Sequence, residues 1–192
     1  MDRKAVFLDR DGVLVRDVGP RTTFEEDLIL SGVAVAVARL TAAGFLNVIV
    51  TNQTVIARGL LSRAAVDEIH DRLVRNLAAH GATIHAVYVC PHHPEATLPE
   101  YRQDCQCRKP ASGMLIQAAA DLGIDFSRSF LVGDRLSDIV AGHRVGVQTI
   151  LVKTGRHQDE PIRSQHWPKT APVPDFICAS LLEAADHILA PG

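Results

Sequence analysis

Short runs of β-branched and other apolar residues recur along the chain at 5–8, 45–50, 84–89, 129–132, 149–152 and 176–177, and most stretches between them carry apolar residues at helical spacing. A run that is apolar throughout, rather than alternating with polar residues, suits a strand covered on both faces. Strands of this kind alternating with helices predict a central parallel sheet between two helical layers, an α/β three-layer sandwich of Rossmann-like architecture. Val66, Ile69, Leu73 and Leu77 mark one face of a helix that Ser62 is placed to cap and Gly81 to end. Similar spacing predicts helices through Leu115, Ala118, Ala119 and Leu122 before Gly123, and through Leu181, Leu182, Ala185, Ile188 and Leu189 after Ser180.

At 192 residues the chain is long enough for one substantial core and short for two, so residues 1–192 are read as a single domain. Two segments break the alternation, 91–110 and 155–174, and both read as long loops. A formal net charge of −2 offers no general basic field, and no basic track is visible, which argues against nucleic acid as a partner. No apolar run approaches the ~20 residues of a membrane span. The apolar run after Met1-Asp2-Arg3-Lys4 is too brief for an export signal, so a cytoplasmic monomer with reduced cysteines and no membrane contact is expected.

In a doubly covered parallel sheet, ligands gather beyond the carboxyl ends of the strands, and polar residues stand at those positions here. The first strand runs into Asp9-Arg10-Asp11-Gly12, two carboxylates that reach one site if the chain turns at Gly12. Taken alone, acidic residues before a glycine are also common turn formers. The second strand ends in Thr51-Asn52-Gln53, a hydroxyl and two amides suited to holding phosphoryl oxygens or simply to making a turn. The fourth ends in Gly133-Asp134, with Asp138 close behind, hard oxygen ligands of the sort that suit Mg²⁺. Arg108-Lys109 adds a paired cation in a loop, a feature that is most often solvated surface when it stands alone.

Together, Asp9-Arg10-Asp11-Gly12, Thr51, Lys109 and Gly133-Asp134 with Asp138 resemble the four ordered motifs of the haloacid dehalogenase superfamily. The resemblance implies a phosphatase in which Asp9 is the nucleophile and Asp11 the acid and base. It also implies that Thr51 and Lys109 bind phosphoryl, and that Asp9, Asp11 and Asp134 hold Mg²⁺. A phosphate monoester is a dianion, so a carboxylate attacks it only where a metal and a lysine neutralise charge along the approach. An aspartate at position 11 favours phosphoryl transfer over dehalogenation, because carbon–halogen cleavage needs no proton donor. Residues 15–44 leave little room for a large cap domain, which passes substrate selection to loops.

A second signal is Cys90-x-His92 followed after twelve residues by Cys105-x-Cys107. Three thiolates and one imidazole make a closed tetrahedral set, which predicts a structural Zn²⁺ within residues 90–110. The alternative is three exposed, oxidisable thiols. Spacing alone does not choose between His92 and His93; the family pattern selects His92. Within the superfamily, Cys90-Pro91-His92-His93-Pro94, Cys105-Gln106-Cys107-Arg108-Lys109-Pro110 and Thr51-Asn52-Gln53 are similar to zinc-bearing phosphatases of sugar bisphosphates, with relatives acting on histidinol phosphate. That likeness implies a phosphorylated sugar as substrate, with Arg108 recognising its far end and Asn52, Gln53 and Arg135 at the pocket. It also exposes departures: Pro20-Arg21 follow Gly19, Thr54-Val55 replace a Ser-Gly, Arg135 replaces a lysine, and 155–174 is long. Two rival readings stand beside the sugar phosphatase at this point, a histidinol-phosphate phosphatase and a zinc-stabilised module that binds a phosphorylated ligand without turnover.

Overall fold

Six strands form where the apolar runs lie: β1 (Ala5–Leu8), β2 (Leu46–Asn52), β3 (Ala86–Cys90), β4 (Phe130–Gly133), β5 (Gln148–Val152) and β6 (Phe176–Cys178). All neighbours pair in parallel in the order β3-β2-β1-β4-β5-β6. The structure is a computed structural model that describes residues 3–19, 23–156 and 170–190. Most of the expected loop at 155–174, and the Pro20-Arg21 departure, lie outside the described residues.

Side chains of a strand point alternately to its two faces, and β1 divides accordingly. Val6 and Leu8 join one core with α1 (Val33–Ala42), α3 (Arg63–Ala79) and α6 (Leu181–Leu189). Ala5 and Phe7 join the other with α4 (Gly113–Leu122) and Ala141 of α5 (Leu136–His143). Burial of each large side chain such as Leu115 contributes roughly 1.5–3 kcal/mol, so the two apolar faces of one sheet account for the three layers.

Local chemistry sets the helix ends. The Ser62 hydroxyl accepts from the Ala65 amide at 3.1 Å, Ser180 does the same for Glu183 at 3.4 Å, and Gly123 ends α4 in the left-handed region at φ 68°. Between β1 and β2 the described residues form only α1 and a short 3₁₀ turn at Glu26–Leu28, with no cap domain. Two helices had no clear periodic signal: the four-residue α2 (Thr54–Ala57) and α5, both short and both starting at the site described next.

Candidate active site

The chain leaves β1 toward β2 and β3 on one side, and returns through β4 to β5 and β6 on the other. The crevice opened by that reversal lies beyond the carboxyl end of β1, where Asp9 stands. The Asp9 amide continues the sheet by donating to the Val132 carbonyl at 3.0 Å. The chain then turns at Gly12, whose φ of 83° and whose contact with the Asp134 carboxylate both exclude a side chain.

Lys109 enters from the loop before α4. Its ammonium lies 3.0 Å from Asp9 Oδ1 and 2.6 Å from Asp138 Oδ1, and donates to the Val50 carbonyl at 2.8 Å. Burial alone works against its charge, but Asp138 and Asp9 outweigh that and hold the ammonium protonated. Asp138 sits in the first turn of α5, where its Oδ2 accepts from the Arg135 amide at 3.1 Å. Asp134 is wholly buried; its Oδ2 accepts from the Arg156 amide at 2.6 Å, while Oδ1 has no hydrogen-bond partner among the described residues.

Burial raises the Asp9 carboxyl to about 6, against the pull of Lys109 and with help from Asp138 and Asp11. Burial likewise raises Asp134 to about 7, with Asp9 and Asp138 adding to the effect. Lys109 divides its charge between Asp9 and Asp138, so the cluster carries more negative than positive charge and favours a further cation. Ligand oxygens of Asp9, Asp134 and Asp138 lie within 4.8 Å of one another. Asp138 is already committed to Lys109 and to the start of α5, which leaves Asp9 and the unpartnered Oδ1 of Asp134 to face a metal. Carboxylate oxygens of this kind fit Mg²⁺.

Asp11 does not join that cluster. Its carboxylate takes a forked contact from Arg10, with Nη2 at 2.7 Å from Oδ2, and a hydrogen bond from Gln53 Nε2 at 3.0 Å. Gln53 Nε2 also donates to the Thr51 hydroxyl at 2.8 Å, so Thr51, near the end of β2, shares that amide with Asp11 and lines the same cleft as Asp9. Asn52 lines the cleft and spends its amide on the backbone of Lys109, accepting from its N–H at 3.1 Å and donating to its carbonyl at 3.0 Å.

Above these residues opens a polar cleft of about 320 Å³, lined on its outer side by Arg58, Arg108, Arg135 and Arg156. Arg108 is anchored through Nη1 to the His92 carbonyl at 3.1 Å. Arg135 and Arg156 both contact Asp17 Oδ2, at 3.1 and 2.7 Å; burial works to raise the Asp17 carboxyl, but the Gly19 amide, joined by these two arginines, lowers it. The chain itself therefore makes a locally basic pocket in a protein with no net positive charge.

The sulfur atoms of Cys90, Cys105 and Cys107 and a ring nitrogen of His92 converge within 4.8 Å of one another. His92 Nδ1 lies 3.8 Å from the Cys90 sulfur and 3.5 Å from that of Cys107, while His93 Nδ1 turns away to accept from the Glu95 amide. All four cysteines are free thiols, and Cys178 is buried in the core. Hydrogen bonding from Cys107 draws Cys90 down to about 6, and the same contact pushes Cys107 up, so the thiols compete for protons. A cation with four soft or borderline ligands relieves that competition, and the donor set fits Zn²⁺.

Three contributors escaped the sequence reading. Arg10 and Asp17 lie in or near the first motif, whereas His70 lies far from any motif and falls on the same helical stripe as Val66, Leu73 and Leu77, the signal that could have placed it inside.

Fold and site together define a hydrolase of the haloacid dehalogenase type. Residues 106–184 match the HAD-hydrolase-like family model. The chain is 42% identical over 164 residues to the D-glycero-beta-D-manno-heptose-1,7-bisphosphate 7-phosphatase of Pasteurella multocida, covering 85% of this chain and 89% of that one. It is 40% identical over 189 residues to the D-glycero-D-manno-heptose-1,7-bisphosphate 7-phosphatase of Chlorobaculum tepidum, covering 94% and 92%. The crystal structure of D,D-heptose 1,7-bisphosphate phosphatase from B. bronchiseptica, complexed with magnesium and phosphate, superposes with a TM-score of 0.83 at 33% identity, covering 97% and 98% of the two chains. This chain belongs to the family of heptose-1,7-bisphosphate 7-phosphatases.

Proposed function

We propose that the chain removes the 7-phosphate of a D-glycero-D-manno-heptose 1,7-bisphosphate through an aspartyl-phosphate intermediate on Asp9. The observation that carries this reading is the convergence of Asp9, Thr51, Lys109 and Asp134 beneath an arginine-lined cleft. Asp9 Oδ attacks phosphorus, the bond from phosphorus to the sugar oxygen breaks with its electron pair on oxygen, and Asp11 supplies the proton that oxygen needs. In the second half Asp11 takes a proton from water as the water oxygen attacks phosphorus and the bond from phosphorus to Asp9 breaks, returning the carboxylate and releasing phosphate. The Thr51 hydroxyl and Lys109 ammonium hold the phosphoryl oxygens, and the buried ammonium does so at full strength because water is excluded from it.

Mg²⁺ held by Asp9 and Asp134 supplies neutralisation of the phosphoryl charge. Zn²⁺ held by Cys90, His92, Cys105 and Cys107 fixes the loop that runs into Arg108 and Lys109. A bisphosphate leaves one phosphate over Asp9 and brings a second to the rim, where guanidinium groups of Arg108, Arg135 and Arg58 suit it.

Turnover on both anomers of the heptose 1,7-bisphosphate, simpler sugar phosphates and histidinol phosphate tests this reading. The highest kcat/KM is expected on a heptose bisphosphate, and Asp9→Asn should abolish it. Histidinol phosphate as the clear best substrate, or no hydrolysis of any, would overturn it.

A further inference from the structure

Arg10 stands between the two catalytic aspartates in sequence and borders the cleft, yet is nearly wholly buried. Its guanidinium takes Asp11 in a fork: Nη2 donates to Oδ2 at 2.7 Å and to Oδ1 at 3.0 Å, and Nε donates to Oδ1 at 3.2 Å. Its remaining terminal nitrogen, Nη1, lies 3.2 Å from His70 Nε2 on α3. A guanidinium only donates, so His70 Nε2 must accept and the ring proton must sit on Nδ1. Nδ1 is buried and has no hydrogen-bond partner among the described residues.

A buried ring N–H without an acceptor costs stability, and an apolar side chain on this stripe beside Val66 and Leu73 would avoid the cost. What the imidazole contributes is an acceptor for Arg10 from a rigid helix of seventeen residues. Burial first, and then the Arg10 charge, push His70 down to about 4, so it is neutral and able to accept wherever the enzyme works near neutrality. The line His70, Arg10, Asp11, Gln53, Thr51 runs unbroken by hydrogen bonds from α3 to the end of β2.

We propose that His70 and Arg10 are positioning residues that fix where the Asp11 carboxyl points, and through it the delivery of a proton to the departing sugar oxygen. The proposal rests on the reaction given above: Asp11 Oδ1, whose contacts with Arg10 are the longer ones, leaves the fork to carry the proton, and Oδ2 stays on Arg10 and Gln53. The proton then passes from Oδ1 to the sugar oxygen while the phosphorus–oxygen bond breaks and the bond from phosphorus to Asp9 forms. An Asp11 freed from Arg10 altogether samples orientations from which it cannot reach the leaving oxygen.

The test compares two leaving groups. The value of kcat/KM covers the steps up to departure of the leaving group, and 4-nitrophenolate departs without protonation whereas a sugar alkoxide does not. In His70→Leu, which fills the space but cannot accept from Arg10, kcat/KM on the heptose bisphosphate is expected to fall about 10-fold or more, part of the ~10²–10⁴ that general acid catalysis supplies. On 4-nitrophenyl phosphate the fall should stay within about 2-fold, because that substrate does not draw on the acid. His70→Gln, whose side-chain oxygen can accept in place of Nε2, should recover most of the loss. Should His70→Leu fail to fold, Arg10→Lys, which keeps the charge and loses the fork, is expected to show the same split. Equal losses on the two substrates, or none on either, in the variant that folds would overturn the proposal while leaving the phosphatase reading intact. Failure of the unaltered enzyme to cleave the bisphosphate would instead sink that reading.

Discussion

Asn52 holds Lys109 by both of its backbone groups, with Oδ1 on the N–H and Nδ2 on the carbonyl. The amide at the end of β2 thereby fixes the buried ammonium that faces Asp9, from a residue that lies 57 positions away in the chain. Replacing Asn52 with Ala removes two hydrogen bonds worth about 0.5–1.5 kcal/mol each. Since a shift of about 1 Å can cost ~10²-fold in rate, kcat is expected to fall 10-fold or more while KM changes little. Steady-state kinetics on the preferred substrate check this, and a change confined to KM would show that Asn52 contacts substrate instead.

Lys109 itself lies between Asp9 and Asp138 with its side chain almost fully enclosed. Lys109→Met should lower kcat by about 10²–10³, the scale of losing one donor to a developing oxyanion. Lys109→Arg should not restore it, because a guanidinium is too broad for a space bounded by Val50, Asp9 and Asp138.

Cys107 belongs to the four-ligand cluster and lies two residues from Lys109. Metal analysis is expected to find zinc in the unaltered protein and to find it lost in Cys107→Ser, with lower thermal stability and kcat. A zinc content equal to that of the unaltered protein would contradict the ligand set.

His70 gives a pH dependence whose sign is fixed by its depressed value. The unfolded chain binds a proton here near the usual 6.5, the folded protein only near 4, so folding is weakened as pH falls from 6.5 to 4. The loss attributable to His70 is about 3 kcal/mol at full extent. Asp9 and Asp134, raised by burial, act in the opposite sense over part of the same window. The comparison to make is therefore denaturant unfolding of the unaltered protein against His70→Gln at pH 7 and pH 5. The stability difference between the two should shift in favour of the variant at the lower pH.

The strands and the ends of three helices were legible because their signals are local. An apolar run such as 46–50, a hydroxyl at Ser62 or Ser180, and a glycine at 123 act within a turn or two of themselves. α5 was not legible: it is short, contains Gly142, and begins with a cap built from Asp138, a residue that reads first as a candidate ligand. The candidate site was legible as a set of residue types at strand ends, and His92 rather than His93 faces the three thiols as the family pattern implied. Roles inside the set were not, and Asn52 and Asp11 show why. Each carries a side chain that suits the substrate or the metal equally well, and only the neighbours that fold against it, Lys109 for one and Arg10 for the other, decide which contact it makes.

By itself the sequence determined a parallel sheet with acidic and polar residues at its strand ends and a loop carrying three cysteines and a histidine beside them, since periodicity, turn chemistry and residue spacing are properties of neighbouring residues. The tertiary structure alone decided that Asp138 serves Lys109, that Asp11 turns to Arg10 and away from the carboxylate cluster, and that a histidine on α3 reaches the site. Those facts depend on groups up to sixty positions apart meeting in a low-dielectric interior. There each buried charge or donor takes whatever partner the packing provides.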